Sequence, residues 1–361
     1  HLRYGVDLKE REEFTFSPVN FGVVLHAVIR EVCDEIKKNG ESYYLISEEK
    51  RREMVKRSVA AITDIYQNSI LKDSSRNSFM IKRMEDLADR TVWAMGEQLK
   101  CGDFVPFVFE HKFNMEVGDG DRKQLMSGTI DRVDICENGT DVYVRIIDYK
   151  TGKKDFNIVK TYYGIDIQLM VYMEAAMKLV AKMRPGKNVI PAGVFYYNIS
   201  DPIVSATTES AEEIEDKIKG ELRLKGMVNS DKDIAEKMDN TGGTSLNIPV
   251  SRKADGGFDS RRSKVMNTEQ FNMLGRFVDV RAVDTADRIA GGDIRRSPYK
   301  DGQFSSCDRC PYGAVCGFSV DLPGCNYRKL KKFDDEVLWN NIKEGVDENG
   351  KKMDTGAEER D

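Results

Sequence analysis

A mostly apolar strand that ends in charged residues constrains this chain of 361 residues more than any other segment. The run from Val142 to Ile147 is rich in branched aliphatic residues, and Asp148-Tyr149-Lys150 follows it directly. Side chains alternate along a strand, so Asp148 and Lys150 face one way and Tyr149 the other. Charge at the end of a buried strand is costly unless it is paired or binds a metal. The segment therefore predicts either an Asp–Lys pair at a surface strand end or a functional site.

A second strand, predicted over 126–135, precedes this one, and Glu137–Thr140 joins the two. The connection contains Asn-Gly, a strong signal for a hairpin with a two-residue loop. With Asn-Gly as the loop, Asp131 is expected to face Ile146. Asp131 and Asp148 then become diagonal neighbours on one face, roughly 7–8 Å apart at their Cα atoms. Two carboxylates at this range can share a divalent cation.

Other candidate ligands lie on neighbouring elements. Gln168 and Tyr172 are four residues apart on a predicted helix and share one of its faces. His26 lies on an earlier predicted helix, and the chain contains 3 histidines, so there are few other candidates for an imidazole ligand. Taken alone, each of these residues is more often structural. Glu110, expected at the end of a strand over 105–113, is either a further acidic ligand or an ordinary solvated strand end.

The order of these residues resembles the motifs of RecB-type nucleases, which belong to the PD-(D/E)xK superfamily. Segments Gly22–His26, Gly128–Asp134, Asp148–Gly152 and Gln168–Tyr172 carry the resemblance. No single segment is specific, but four in the family's order are. The resemblance implies an α/β fold of the restriction-endonuclease type, with a mixed central sheet flanked by helices and a helical C-terminal extension.

The resemblance extends to the B subunits of AddAB-type helicase–nucleases. Segments Ala192–Tyr197, Gly291–Tyr299 and Cys307–Cys316 carry this part, and the likeness covers roughly 4–330. Those subunits are much longer and begin with a helicase-like region. The chain starts at His1 rather than Met, which suits a fragment. The resemblance therefore identifies the chain with the C-terminal nuclease domain of such a subunit.

Three parts are expected along the chain. A RecB-like nuclease domain occupies 1–300, with a helical insertion over about 203–265. A cysteine-rich clasp follows over 301–330. A polar tail over 331–361 is expected to be flexible, apart from a short segment near Phe333–Ile342.

The resemblance also implies a mechanism. His26, Asp131 and Asp148 would hold Mg²⁺ or Mn²⁺, with the carbonyl of Tyr149 as a further ligand. A water made more acidic by the metal would attack the phosphodiester of DNA. The implied activity is that of a deoxyribonuclease, an exonuclease that processes double-strand breaks for recombinational repair.

Three further residues have implied roles in the same mechanism. Lys150 would orient the attacking water or stabilise charge that develops on the phosphate. Gln168 and Tyr172 would position the backbone or the carboxylates. No Gly-x4-Gly-Lys-Ser/Thr motif occurs in the chain, so ATP dependence would come from a partner, the helicase A subunit.

Cys307, Cys310 and Cys316 form a Cys-x2-Cys-x5-Cys cluster. Such a cluster favours a soft-metal site, and its spacing alone does not decide between zinc and iron–sulfur. The resemblance favours a [4Fe–4S] cluster whose fourth cysteine precedes the segment that matches Tyr4. That cysteine is absent from this chain, and Cys325 is the nearest substitute, so the cluster is expected to be incomplete here. The odd count of 7 cysteines, without a signal peptide, favours a cytoplasmic location.

The formal net charge of −5 does not exclude DNA. The tail from Lys331 to Asp361 holds 6 basic and 10 acidic residues, so the body is nearly neutral, and binding depends on local patches. Lys153-Lys154 is a candidate for phosphate contact because it directly follows the motif. Arg261–Lys264 is either a phosphate-binding segment or a solvated loop. No run of 18 apolar residues occurs, so no membrane partner is expected.

Two alternative functions remain. One is a non-catalytic DNA-binding or scaffolding domain pinned by a metal cluster, against which the intact Asp-x-Lys set argues. The other is a RecB-like nuclease of a CRISPR adaptation system, which also pairs this core with cysteines. The insertion and the closing Gly292-Asp293-Ile294 favour the AddAB-type subunit.

Overall fold

The computed structural model describes residues 18–65, 75–117, 124–205 and 210–358. Its helices are α1 (Pro18–Lys38), α2 (Glu48–Ile65), α3 (Ser75–Lys100), α4 (Ile158–Tyr162), α5 (Gln168–Met183), α6 (Ala211–Glu221), α7 (Lys232–Met238), α8 (Thr268–Ala290), α9 (Gly313–Cys316) and α10 (Asp335–Glu358). Its strands are β1 (Val105–Val117), β2 (Gln124–Asn138), β3 (Asp141–Lys150), β4 (Asn188–Asn198), β5 (Lys225–Asn229), β6 (Val265–Met266), β7 (Tyr299–Asp301), β8 (Phe304–Ser305) and β9 (Arg328–Lys329). None of these helices is both long and apolar enough to cross a membrane.

A mixed sheet organises the fold, with the strands in the order β1-β2-β3-β4-β5-β6. Strand β3 is antiparallel to β2 and parallel to β4, and β5 is antiparallel to β4 and parallel to β6. Parallel neighbours require a crossover connection, and α4 and α5 lie between β3 and β4 in the chain. The predicted α/β fold, a mixed sheet flanked by helices, is confirmed.

The predicted register of the β2–β3 hairpin is wrong by two residues. Asn138 pairs with Asp141, and Val133 rather than Asp131 faces Ile146. The loop therefore begins at the glycine after Asn138, whose φ of 59° is the left-handed conformation that glycine adopts without strain. A shift by an even number of residues leaves every side chain on its predicted face. Asp131 and Asp148 therefore still share a face.

The chain forms two compact units whose segments alternate in sequence. Among the described residues, the first contains 18–65, 75–111, 129–156, 176–205 and 210–267, and the second contains 112–117, 124–128, 157–175 and 268–358. The division expected from the sequence, at about 300 and 330, stays a prediction.

The core of the first unit joins the helices α1, α2 and α3 to the sheet. Leu25 and Val28 on α1 are fully buried and belong to the same apolar cluster as Ile147 on β3 and Phe195 on β4. Burial of each such side chain contributes about 1.5–3 kcal/mol. The recurrence of apolar residues along α1 thus places this helix against the strand that carries Asp148.

A charged cluster lies within the same unit. The guanidinium of Arg132 donates two hydrogen bonds of 2.7 Å to Asp134, and Nε of Arg145 donates a third of 2.9 Å. All three side chains are buried. Burial raises the pKa of Asp134, but the two guanidinium groups outweigh it and hold the pKa below its usual range. The cluster ties β2 to β3, on the face of the hairpin opposite Asp131 and Asp148.

The insertion is less helical than expected, because β5 and β6 extend the sheet from within it. A Cβ atom on Gly226 would lie 1.9 Å from the carbonyl oxygen of Val194 on β4. The close approach of the two backbones thus requires glycine at this position. Short strands between charged helices leave no alternating pattern, which explains why the sequence did not predict them.

The second unit contains most of the C-terminal part. The ring of Tyr162 stacks on Phe277 of α8 with centroids 5.4 Å apart, and Phe333 contacts Tyr162 edge-on. Leu338 and Ile342 of α10 are buried. The expected ordered segment near Phe333–Ile342 therefore overlaps the start of α10, which begins at Asp335 and continues to Glu358.

Candidate metal centre

Three side chains from α1, β1 and β2 converge in the first unit. Nδ1 of His26 lies 3.4 Å from Oδ1 of Asp131 and 3.6 Å from Oε1 of Glu110. One ligand atom from each residue lies within 4.8 Å of the other two, and this is the one such group of three among the residues that the structure describes. His26 and Asp131 are predicted ligands. Glu110, for which the sequence left two interpretations, lies in the group.

Glu110 has a left-handed backbone, with a φ of 47°. It lies within β1, which runs on to Val117, and not at the strand end expected from the sequence. A non-glycine residue in this conformation costs on the order of 1–3 kcal/mol, and such residues cluster at functional sites. The strained backbone turns the carboxylate of Glu110 away from the direction of a regular strand and towards His26.

The backbone of β3 orients Asp131. The N–H of Tyr149 donates a hydrogen bond of 2.6 Å to Oδ2 of Asp131. One carboxylate oxygen is thereby held, and the other faces His26. The buried ring of Tyr149 also meets the imidazole edge-on, with centroids 5.8 Å apart. Tyr149 therefore contacts both predicted ligands, Asp131 through its backbone and His26 through its ring.

Asp148 and Lys150 form an ion pair at the end of β3. Asp148 is buried, while the side chain of Lys150 is partly exposed and its ammonium lies 5.5 Å from the ring centre of Tyr196. Burial and then the negative charge of Asp131 raise the pKa of Asp148, against the attraction of Lys150. The sequence predicted either an Asp–Lys pair at a strand end or a functional site. The structure contains the Asp148–Lys150 pair, and Asp148 is close enough to Asp131 for the two negative charges to repel each other.

The electrostatics of the group favour a cation. Burial lowers the pKa of His26, but hydrogen bonds and charge from Asp131 and Glu110 outweigh it and raise that pKa to about 10. The carboxylates therefore stabilise positive charge between them. The two carboxylates supply the oxygen ligands that Mg²⁺ and Mn²⁺ prefer, and the imidazole adds one nitrogen ligand. The residues thus fit the predicted divalent ion.

Gln168 and Tyr172 belong to the second unit, where they contact each other. Nε2 of Gln168 donates a hydrogen bond of 2.9 Å to the hydroxyl of Tyr172. The ring of Tyr172 meets Phe113 edge-on, with centroids 5.7 Å apart. A Cβ atom on Gly128 would lie 2.8 Å from Phe113, so packing explains this glycine of the motif. The roles expected for Gln168 and Tyr172 stay predictions.

The cysteine cluster also lies in the second unit. Cys307 is in a short 3-10 helix, Cys310 follows that helix, and Cys316 ends α9. All three are free thiols, as is Cys325. Within the described part of the chain their sulfur atoms do not converge as the metal centre's ligand atoms do. The iron–sulfur cluster stays a prediction.

Asn198 was not predicted, yet it holds the loop that follows Lys150. Its side-chain oxygen accepts a hydrogen bond of 3.0 Å from the N–H of Lys154, and its amide donates one of 3.0 Å to the carbonyl of Lys154. Asn198 pairs with Lys150 in the β3–β4 register. An amide side chain at the end of a parallel strand was the available signal, but the sequence does not show which strands are neighbours.

Comparisons with known proteins agree with this geometry. The sequence profile of the PD-(D/E)XK nuclease superfamily matches residues 1–317. The B subunit of the ATP-dependent helicase/deoxyribonuclease of Thermoanaerobacter sp. (strain X514) is 33% identical over 98% of this chain and 31% of the relative. The B subunit of the same name from Caldanaerobacter subterraneus subsp. tengcongensis is 34% identical over 100% of this chain and 32% of the relative.

The chain therefore spans about a third of the length of the curated relatives that it matches. The resemblance to helicase–nuclease B subunits is confirmed by these relatives. The profile match covers every motif segment on which the predicted nuclease likeness rests. The mixed sheet and the convergence of His26 and Asp131, which lie in two of the motif segments, agree with it. The chain belongs to the PD-(D/E)XK nuclease superfamily.

Proposed function

We propose that this chain is a metal-dependent DNA exonuclease domain of a helicase–nuclease complex that processes double-strand breaks for recombinational repair. The convergence of His26, Glu110 and Asp131 beside the Asp148–Lys150 pair carries the proposal. The relatives are named as B subunits of an ATP-dependent helicase/deoxyribonuclease, which supports DNA as substrate and a helicase subunit as partner. Their name also favours this function over a CRISPR adaptation nuclease. We propose that the domain acts in the cytoplasm.

His26, Glu110, Asp131 and Asp148 would hold Mg²⁺ or Mn²⁺, with the carbonyl of Tyr149 as a further ligand. The bound ion would supply a more acidic water and positive charge beside the scissile phosphate. Asp131 is ready for this role because the N–H of Tyr149 already holds one of its oxygens. Asp148 is buried beside a second carboxylate, an arrangement that becomes favourable once a cation lies between them.

Lys150 would stabilise negative charge that develops on the phosphate. Its ammonium is held by Asp148 on one side and by the face of the Tyr196 ring on the other, so it is positioned before the substrate arrives. Gln168 and Tyr172, already joined by a hydrogen bond, would position the DNA backbone or the carboxylates.

Cleavage of end-labelled linear DNA tests the proposal. The chain should digest DNA with Mg²⁺ or Mn²⁺ and not with EDTA. Asp148→Ala and Lys150→Ala should each reduce the rate on the order of 10²–10³-fold, as the loss of a transition-state contact does. Lys56→Ala, at an exposed position on α2, is the matched control and should leave the rate unchanged. Equal rates for all variants would exclude this site as the nuclease centre.

We further propose that Cys307, Cys310 and Cys316 hold a [4Fe–4S] cluster whose fourth ligand lies upstream in the longer subunit. Their spacing within a turn-rich segment supports this. Iron and acid-labile sulfide measured on the full-length subunit, against a Cys310→Ser variant, test it. A metal content of zinc alone would contradict the assignment.

A further inference from the structure

Strand β4 carries three consecutive aromatic residues, Phe195, Tyr196 and Tyr197. Phe195 and Tyr197 belong to the apolar cluster that joins α1 to the sheet. Side chains alternate along a strand, so Tyr196 lies on the other face of the sheet. It is fully buried there, but it is not a member of that cluster. The packing of the apolar core therefore does not explain why this position carries an aromatic ring.

The strand register places Tyr196 beside the active-site ion pair. In the parallel ladder between β3 and β4, Tyr196 pairs with Asp148, and Asn198 pairs with Lys150. Residues that pair across a ladder share a face of the sheet, and so do residues two apart on one strand. All four side chains therefore lie on one face, where two neighbouring strands end.

Two ammonium groups lie over the ring of Tyr196. Nζ of Lys150 is 5.5 Å from the ring centre, and Nζ of Lys154 is 5.1 Å from it. An ammonium within about 6 Å of an aromatic centroid is attracted by the electron-rich face of the ring, more strongly where water is excluded. Because Tyr196 is fully buried, its ring stabilises positive charge at the end of β3.

The ring supplies a support for Lys150 that does not compete with the metal. Asp148, the other partner of Lys150, is also a proposed metal ligand. A bound divalent ion is the largest local charge in such a site, so it would draw on the same carboxylate that attracts the ammonium. The face of the Tyr196 ring offers no ligand atom to the ion. Its contact with Lys150 would therefore persist when the metal binds.

The backbone that carries both lysines is fixed to β4. The side chain of Asn198 accepts a hydrogen bond of 3.0 Å from the N–H of Lys154 and donates one of 3.0 Å to its carbonyl. The N–H of Ile199 donates a hydrogen bond of 2.8 Å to the carbonyl of Lys150. With the backbone held on both sides of the turn, the ring of Tyr196 contacts the ends of the two side chains.

We propose that Tyr196 is a positioning residue of the nuclease centre. Its ring holds the ammonium of Lys150 where that group meets the charge developing on the scissile phosphate, and it seats Lys154 beside it. The proposal rests on the proposed nuclease function, because Lys150 acts in that reaction. Tyr196 acts through the lysine and through its ring, so phenylalanine should replace it and an aliphatic residue should not.

Lysine NMR signals of the metal-free chain test the contact without cleavage. Protons over the face of an aromatic ring resonate upfield, so the Hε signals of Lys150 and Lys154 should be displaced upfield in ¹³C-lysine-labelled protein in EDTA. Lys150→Arg and Lys154→Arg assign the two signals. Tyr196→Leu should return both to the position of an exposed lysine such as Lys56, whereas Tyr196→Phe should not. Unchanged signals in Tyr196→Leu would overturn the proposal.

Cleavage rates test the consequence for the reaction. Tyr196→Leu should lower kcat about ten-fold and change KM little, because the ammonium acts on charge that develops in the transition state. Tyr196→Phe should keep most of the rate. Tyr143→Leu is the matched control, since Tyr143 is a buried tyrosine of the same sheet near the other end of β3, and it should not alter the rate. Equal losses in Tyr196→Leu and Tyr196→Phe would overturn the role of the ring.

A double-mutant cycle distinguishes positioning from a general structural role. In the Lys150→Ala protein, Tyr196→Leu should cause no further loss of rate, because the group that the ring positions is gone. A residue that only supports the sheet would lower the rate by the same factor in both backgrounds. That additive result would overturn the proposal.

The two proposals can fail separately. If the unaltered chain never cleaves DNA although Tyr196→Leu displaces the Lys150 signal, the nuclease function fails and the hold of the ring on the lysine stands. If the chain cleaves DNA and Lys150→Ala slows it, while Tyr196→Leu changes neither signal nor rate, the function stands and the role of Tyr196 fails.

Discussion

The N–H of Tyr149 donates a hydrogen bond of 2.6 Å to Oδ2 of Asp131, so the backbone of β3 holds a carboxylate of the neighbouring strand β2. This contact joins the Asp-Tyr-Lys segment to the preceding motif. It leaves Oδ1 of Asp131 facing His26 at 3.4 Å. The β2–β3 hairpin therefore sets the orientation of Asp131. A substitution that removes the negative charge of Asp131 can still keep its hydrogen bond to Tyr149.

Asp131→Asn should remove the negative charge at this position while leaving the side chain in place. The amide oxygen can still accept the hydrogen bond from Tyr149, but the ligand loses its negative charge. We expect a folded protein with a rate of DNA cleavage reduced on the order of 10²–10³-fold. Isothermal titration calorimetry with Mn²⁺ measures the metal affinity, and cleavage of end-labelled DNA measures the rate. Unchanged metal affinity in this variant would remove Asp131 from the ligand set.

Glu110→Gly should be more stable than Glu110→Ala in the metal-free chain, and both variants should bind metal more weakly. Both lose the carboxylate, but only glycine accepts a φ of 47° without strain, so the free energy of unfolding of the glycine variant should be higher by about 1 kcal/mol. The same change removes one oxygen ligand from the group around His26. Thermal unfolding in EDTA and in Mn²⁺ tests both parts. The stabilisation by Mn²⁺ should shrink, and an undiminished Mn²⁺ effect would contradict a ligand role.

Asp134→Asn should cost stability in a pH-dependent way. Removal of the charge leaves Arg132 and Arg145 buried without their anion, which is expected to cost about 3–5 kcal/mol at pH 7. The pKa of Asp134 is lowered in the folded state, so its contribution is present above the unfolded pKa of about 3.9 and is lost as the pH falls through the folded value. Denaturant unfolding should therefore show the difference between the two proteins shrinking below about pH 4. A cost independent of pH would contradict this account.

Gly226→Ala should destabilise the sheet between β4 and β5. The added methyl would meet the Val194 carbonyl, and overpacking of this kind costs about 1–3 kcal/mol or more. Gly152→Ala is the matched control, because a Cβ atom there meets nothing within 4 Å. Thermal unfolding of both variants gives the comparison. Equal melting temperatures would show that the two strands separate more easily than their contacts indicate.

The sequence predicted the strands and the helix that carry the site more accurately than the register in which the two strands pair. The run of apolar residues before Asp148 located the strand, and helical spacing placed His26 on α1. The hairpin register was wrong because Asn-Gly favours a loop at those two residues, whereas Asn138 joins the ladder and the glycine starts the loop. The shared face of Asp131 and Asp148 was nevertheless correct, since it depends only on odd or even spacing.

Contacts between distant segments could not be predicted in this way. Nothing local in the sequence marks the left-handed backbone of Glu110 or the two hydrogen bonds of Asn198. These features follow from tertiary packing, which overrides local pattern.

Crystals of the chain soaked in Mn²⁺ test the central claim most directly. Anomalous scattering should place an ion among Nδ1 of His26, a carboxylate oxygen of Glu110 and Oδ1 of Asp131, and Asp148→Ala should lower its occupancy. An ion bound elsewhere, with His26, Glu110 and Asp131 in contact with one another and with no metal, would contradict the metal centre and the nuclease function proposed from it.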